Sequence, residues 1–208
     1  MKRLILATAV AAAFAFSGAA FGQGYIGGSI GQSDFKLDCA GLDTCDTKDT
    51  GYKLFGGYMF MPYFGVEAAY VDFGKATATV SNVPVIIAGE RMTRLATPTT
   101  LSGSASLKAS GFGLWAVGNY PIGNGALFAK LGLASIENKL DVTGTSGGFA
   151  ASGSDKTTVT DIAYGLGGAY HFTKNLGVRV EWERFQGKIP GDEKFDLDLM
   201  SLGVFYRF

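Results

Sequence analysis

From Gly24 onward the chain alternates apolar with polar or small residues at a period of two, in segments of about ten to fourteen residues separated by turns or polar stretches. Successive side chains of a strand point to opposite faces, so each such segment has one apolar and one polar or small face. Leu127, Ala129, Leu131 and Leu133 share a face, opposite Phe128, Lys130, Gly132 and Ala134. Val178, Val180 and Trp182 alternate with Arg179, Glu181 and Glu183, and Val66, Ala68 and Tyr70 alternate with Glu67 and Ala69. Ile162, Tyr164, Leu166 and Tyr170 alternate with Asp161, Ala163, Gly165 and Ala169. A water-soluble sandwich buries its apolar face and leaves the polar face merely wet, which does not call for three consecutive inward charges. A barrel with its apolar face in lipid and a narrow polar interior does.

The pattern predicts an all-β fold, an eight-stranded antiparallel up-and-down transmembrane β-barrel, with strands at roughly 24–36, 50–60, 64–74, 104–119, 125–139, 157–172, 176–187 and 195–208. The connectors fall into two classes. Met61-Pro62-Tyr63, Tyr120 to Gly125 and Thr173-Lys174-Asn175 are short, whereas 37–49, 75–103, 140–156 and 188–194 are longer and richer in Gly, Ser, Thr and Asp. Short turns alternating with long loops are the arrangement of an outer-membrane barrel, with turns on the periplasmic side and loops outside. Every backbone polar group in hydrocarbon must be paired within the protein, so the sheet has to close. Inward glycines (Gly27, Gly31, Gly57, Gly65, Gly132, Gly165, Gly167, Gly203) make room in so narrow a lumen. Tyr58, Phe60, Tyr63, Phe64, Tyr170, Phe172, Tyr206 and Phe208 are placed for an aromatic girdle at one membrane surface.

The first residues belong to a different pattern. Met1-Lys2-Arg3, an apolar run from Leu4 to Phe16 and the small-residue stretch Ser17 to Gly22 follow the order of a secretory signal, with cleavage expected near Gly22/Gln23. Residues 1–22 are thus expected to be a signal peptide and 23–208 the barrel domain. The alternative, a permanent anchor, is disfavoured because the run is short for a membrane of ~30 Å. The sequence has 31 glycines but 5 prolines, low charge and zero formal net charge. Losing Lys2 and Arg3 leaves 16 basic against 18 acidic side chains, so no basic excess recruits nucleic acid. In an exported chain, Cys39 and Cys45 in the segment Leu37 to Asp46 suit a loop-stapling disulfide better than a metal site, since no further Cys or nearby His completes a ligand set.

The chain ends Leu202-Gly203-Val204-Phe205-Tyr206-Arg207-Phe208, with Leu202, Val204, Tyr206 and Phe208 on one face. This resembles the insertion signal read by the outer-membrane barrel-insertion machinery. Together with Gly56 to Glu67 and Tyr120-Pro121-Ile122, it makes the chain similar to the OmpA-like eight-stranded outer-membrane β-barrel family over nearly the whole of 23–208. That resemblance implies an inward charge network that plugs or gates the lumen, and Glu67, Lys130, Arg179 and Glu181 match it. Val117 stands where the family has a central Lys and Ala169 where it has an acidic residue. Lys53 and Glu183 partly compensate, but the family's gating pairs do not carry over. The periplasmic peptidoglycan-binding domain of longer relatives is not expected.

The candidate cluster is therefore Lys53, Glu67, Lys130, Arg179, Glu181 and Glu183, either as paired charges filling a polar core or as the lining of a narrow gated path. No enzyme and no cofactor are expected. His171 lies at a strand end without a Ser at the right offset for a nucleophile pair. Asp192, Glu193, Asp196 and Asp198 lack EF-hand order and read as a solvated rim, with cation bridging to lipopolysaccharide as the alternative. Val83 to Ile87, followed by Arg91 and Arg94, is either an adhesive loop surface or an extension of its hairpin. Two functions remain: a structural and surface-interaction barrel whose loops 37–49, 75–103, 140–156 and 188–194 meet host or cell-surface ligands, or a small-solute or ion pore. Inward Phe55, Phe128 and Phe205 favour the first.

Overall fold

The computed structural model describes residues 23–37, 43–85, 99–146, 149–188 and 194–208. Among them are nine strands: β1 (Gln23–Phe35), β2 (Thr44–Asp46), β3 (Lys48–Met61), β4 (Phe64–Val85), β5 (Thr99–Ile122), β6 (Gly125–Ser146), β7 (Phe149–His171), β8 (Leu176–Lys188) and β9 (Lys194–Arg207). All pairings are antiparallel, and the sheet closes in a ring because β1 pairs with both β3 and β9 while β4 pairs with β5. The strand beyond the expected eight is β2, three residues long, which pairs with β4 at Thr77–Thr79.

The reason for β2 lies in β4. Pairing of β3 with β4 ends at Tyr52 and Asp72, and the register of β4 on β5 then shifts between Asp72 and Lys75. Gly74 takes φ +72° at this bulge, a conformation that favours glycine, and its N–H donates to Asp72 Oδ1 at 2.8 Å. Past the bulge β4 has a free edge on the β3 side, and β2 occupies it.

Four strands are much longer than a membrane requires. β4 to β7 have 22 to 24 residues each, against the ~9–11 that a tilted strand needs to cross. The described parts of 75–103 and 140–156, stretches expected to be loops, are therefore largely ladder, with Lys75 to Val80 on Lys108 to Gly103 and Leu140 to Ser146 on Asp155 to Phe149. Their many Thr residues are β-branched and suit a strand with one wet face. β7 meets β8 only from Tyr164/Arg184 to His171/Gly177, so the ladder of its outer half is with β6 alone among the described residues, while Asp161 pairs with Lys194 of β9. The barrel consequently has a low rim at β8, β9, β1 and β3 and a tall four-stranded wall at β4 to β7.

At the other end the connections are tight: Met61 to Phe64, Ile122 to Gly125 with Gly123 at φ +58°, and His171 to Leu176. The aromatic residues expected there are exposed and form neighbouring ring pairs, Tyr58 on Phe60, Tyr170 on Phe172 and Tyr206 on Phe208, with centroids 5.3–5.4 Å apart. Inside, backbones approach too closely for side chains at several glycines. A Cβ on Gly31 would lie 2.0 Å from Met200 O, and one on Gly132 would lie 2.0 Å from Leu114 O.

Candidate functional site

All six charged residues named from the sequence meet in the lumen. Lys53 comes from β3, Glu67 from β4, Lys130 from β6 and Arg179, Glu181 and Glu183 from β8, each 5% exposed or less. Glu67 is the hub. Its Oε2 accepts from Arg179 Nη1 at 2.6 Å and from Tyr25 Oη at 2.9 Å, while its Oε1 accepts from Arg179 Nη2 at 3.0 Å and from Lys130 Nζ at 2.9 Å. Lys130 also reaches Glu183 at 2.5 Å and Glu181 at 2.9 Å. Lys53 pairs with Glu181 and Glu183, and Arg179 with Glu181. Three cations face three carboxylates, so the layer is charge-balanced, which is what makes burial of six ions tolerable.

Aromatic faces complete the layer. The Arg179 guanidinium lies 3.9 Å from the Phe55 ring centroid and 5.0 Å from that of Phe128, and Lys130 Nζ lies 5.1 Å from the Trp115 ring. Val117 and Ala169 are apolar positions of the lumen, and Lys53 pairs with Glu183. Tyr25, which the alternation places on the inward face, was not singled out in the sequence. Its hydroxyl is part of the network.

Toward the low rim the lumen changes character. Phe35, Phe73, Phe185, Phe195, Leu197, Leu199 and Ile136 are all at most 7% exposed and belong to one apolar cluster with Trp115 and Leu107. The rings of Phe73 and Phe185 stand edge-on at 4.9 Å, and Trp115 is edge-on to Phe185 at 6.0 Å. The lumen thus contains two layers, one ionic and one apolar.

Outside the barrel the polarity is reversed across the same level. Below it the outward residues are Ile30, Tyr52, Leu54, Tyr70, Phe112, Leu133, Ile162 and Met200, all large, apolar and exposed. Above it they are Gln32, Asp34, Asp72, Lys108, Glu137, Arg184 and Asp198. Arg184 binds Asp198 through Nε at 2.6 Å and Nη2 at 2.8 Å and approaches Asp196 at 3.4 Å. Two of the four acidic residues considered for a cation bridge therefore share one arginine, and Asp192 and Glu193 lie outside the described residues. Lys156 binds Glu137 at 2.8 Å. Ser154 and Lys139 hold the Asp141 carboxyl below the usual aspartate range.

The remaining sequence-based sites are placed in part. Leu202, Val204 and Tyr206 face outward on β9 beside Phe208, all exposed. Cys45 is in β2 opposite Ala78, while Cys39 lies outside the described residues, as do 1–22, Ile86, Ile87, Arg91 and Arg94. Val83 to Val85 continue β4 and pair with Leu101 to Thr99, which takes the hairpin side of the two readings of that stretch.

Comparison with known proteins agrees with this architecture. The family model described as outer membrane protein beta-barrel domain matches residues 4–208. An uncharacterized protein of Coxiella burnetii (strain RSA 493 / Nine Mile phase I) is 27% identical over an alignment of 169 residues that covers 73% of this chain, and the chain spans 65% of that relative's length. The fold is similar to that of the outer membrane protein OprG from Pseudomonas aeruginosa, with TM-score 0.51 and 18% identity over 91% of this chain and 96% of that one. It is also similar to Ail, the attachment invasion locus protein of Yersinia pestis, solved in complex with the heparin analogue sucrose octasulfate. There the TM-score is 0.50 and the identity 19%, over 91% of this chain and 100% of that one.

Proposed function

Since the chain belongs to the outer membrane protein beta-barrel domain family of the bacterial outer membrane, we propose that it is a surface-interaction barrel. In this reading the lumen is a structural partition and the tall wall of β4 to β7 presents the contact surface to hosts or other cells. The observation that carries the reading is the double filling of the lumen: an ionic layer joined across β3, β4, β6 and β8 and an apolar layer against it. A pore would need both layers to part, exposing ions and phenylalanines together. A wall of four strands standing clear of the membrane has no role in conduction, whereas it is suited to presenting side chains and a free strand edge.

Export completes the proposal. Residues 1–22 are removed as a signal peptide near Gly22/Gln23, and Leu202, Val204, Tyr206 and Phe208 address the chain to the insertion machinery. A Cys39–Cys45 disulfide staples the segment that carries β2. An outward lysine above the apolar belt, Lys108, suits contact with lipopolysaccharide phosphates. The direct test is attachment of cells carrying the protein to host cells. Shortening both tall hairpins, β4–β5 and β6–β7, to the height of the low rim is expected to abolish attachment while heat-modifiable gel mobility stays normal. Undiminished attachment would remove the basis of this reading.

A further inference from the structure

The lumen below the ionic layer opens at the turn end into a vestibule that neither the partition nor the wall uses. An inner cavity of about 60 Å³ adjoins an outer one of about 280 Å³, and Met59, Asn119, Ala126, His171 and Arg207 line both. The inner cavity reaches Tyr25, Glu67 and Arg179. By the orientation rule for outer-membrane barrels, this mouth faces the periplasm.

Two buried N–H groups beside it, His171 Nδ1 and Arg179 Nε, lack acceptors among the described residues. Arg207 Nη2 lies 2.9 Å from His171 Nε2. A guanidinium has only N–H groups, so Nε2 is the acceptor and the ring proton sits on Nδ1. That Nδ1 is buried and meets no acceptor among the described residues, and neither does Arg179 Nε, although Arg179 is only 5% exposed. Glu67, the carboxylate lining the cavity, is already taken up by Arg179, Lys130 and Tyr25. The ionic layer is neutral, and Arg207, which contacts no carboxylate among the described residues, adds a cation to the vestibule wall. Buried donors are normally satisfied, and an acceptor-only group with one negative charge supplies an acceptor for His171 Nδ1 and a counter-charge for Arg207. The walls between them are apolar: Val117, Ala126, Phe128 and Phe205.

We infer that the vestibule binds a small organic monocarboxylate, with its carboxylate on Arg207 and His171 Nδ1 and its apolar chain directed along Val117, Ala126, Phe128 and Phe205. The partner is a periplasmic solute. The site is independent of the surface role, because it lies at the opposite end of the barrel and does not require the lumen to conduct.

Calorimetric titration of the protein in nonionic detergent tests this with sodium butyrate, n-butylamine hydrochloride and sodium phosphate. Butyrate is expected to saturate one site, with butylamine silent and phosphate weaker. The 15N resonance of His171 Nδ1 is expected to shift with butyrate alone. Arg207→Gln should weaken butyrate about tenfold or more, and Arg207→Lys less, as when a charge-assisted hydrogen bond is removed or replaced by a point charge. Arg207 lies in the closing strand, so His171→Phe provides a second variant if Arg207→Gln does not fold. Absence of saturation, equal response to butylamine, phosphate binding as tight as butyrate, or unchanged affinity in the variant that folds would each overturn the inference.

Discussion

Replacing Glu67 tests the ionic layer at its most connected point. Glu67→Ala removes four hydrogen bonds at once, two to Arg179, one to Lys130 and one to Tyr25. It leaves three buried cations facing two carboxylates, with Arg179 keeping only Glu181. If the layer is dry, breaking a buried pair while its partners stay charged costs about 3–5 kcal/mol. If water reached these groups freely, the loss would be that of an exposed pair, about 0–1 kcal/mol. The difference is measurable by equilibrium guanidinium unfolding in micelles or bilayers, followed by the fluorescence of Trp115 and Trp182. Glu67→Gln keeps the shape but loses the charge and should fall between the alanine variant and the parent. Removing Arg179 as well, by Arg179→Met, should recover part of the loss, because the charge left unpaired by the first change is gone. A loss below about 1 kcal/mol for Glu67→Ala, with no coupling to Arg179, would refute the dry partition.

The apolar layer should respond as a soluble core does: Leu199→Ala leaves a cavity and should cost about 2–5 kcal/mol by the same unfolding assay. Leu202→Ala, lipid-facing on the same strand, should cost less, because acyl chains close over the gap. Gly31→Val should prevent assembly, seen as loss of the heat-modifiable band, since its Cβ alone would sit 2.0 Å from the Met200 carbonyl. Acidification should loosen the β6–β7 projection. Asp141 is held below the usual aspartate range by Ser154 and Lys139, so its contribution is complete above that range and fades as pH falls through the depressed value. Amide exchange across residues 139–156 should therefore quicken at low pH. No such change is expected in Asp141→Asn.

The ionic layer was legible in the sequence because each of its charges interrupts a run of lipid-facing residues at a period of two, as Lys53 does between Tyr52 and Leu54. Tyr25 was not, since an aromatic on the inward face carries no mark of its hydroxyl partner. The apolar layer left a clearer signal. In β9 the inward residues are Phe205, Gly203 and Ser201 and then Leu199, Leu197 and Phe195, while the outward ones change from Met200 to Asp198 and Asp196. The adjacent apolar pair Leu199-Met200 is where the alternation changes phase, and in β8 the adjacent charges Glu183-Arg184 mark the same level. An alternation that inverts its phase is a strand leaving lipid for water. The outer halves of β4 to β7 read as loops in the sequence because Ser, Thr, Gly and Asp are frequent in these stretches. Their order comes from pairing partners across the sheet, which no single segment reveals. The three-residue β2 depends on an edge created by a bulge in another strand, and so has no local signature.

Single-channel recording of the purified protein in planar bilayers tests the central claim most directly. A lumen closed by a paired ionic layer and an apolar layer should pass no steady current in the parent protein at neutral pH. Glu67→Ala combined with Leu199→Ala should introduce brief openings if it still inserts. Stable open channels in the parent protein would contradict the account, because ions crossing at a steady rate require a continuous water path through groups that are buried against one another here.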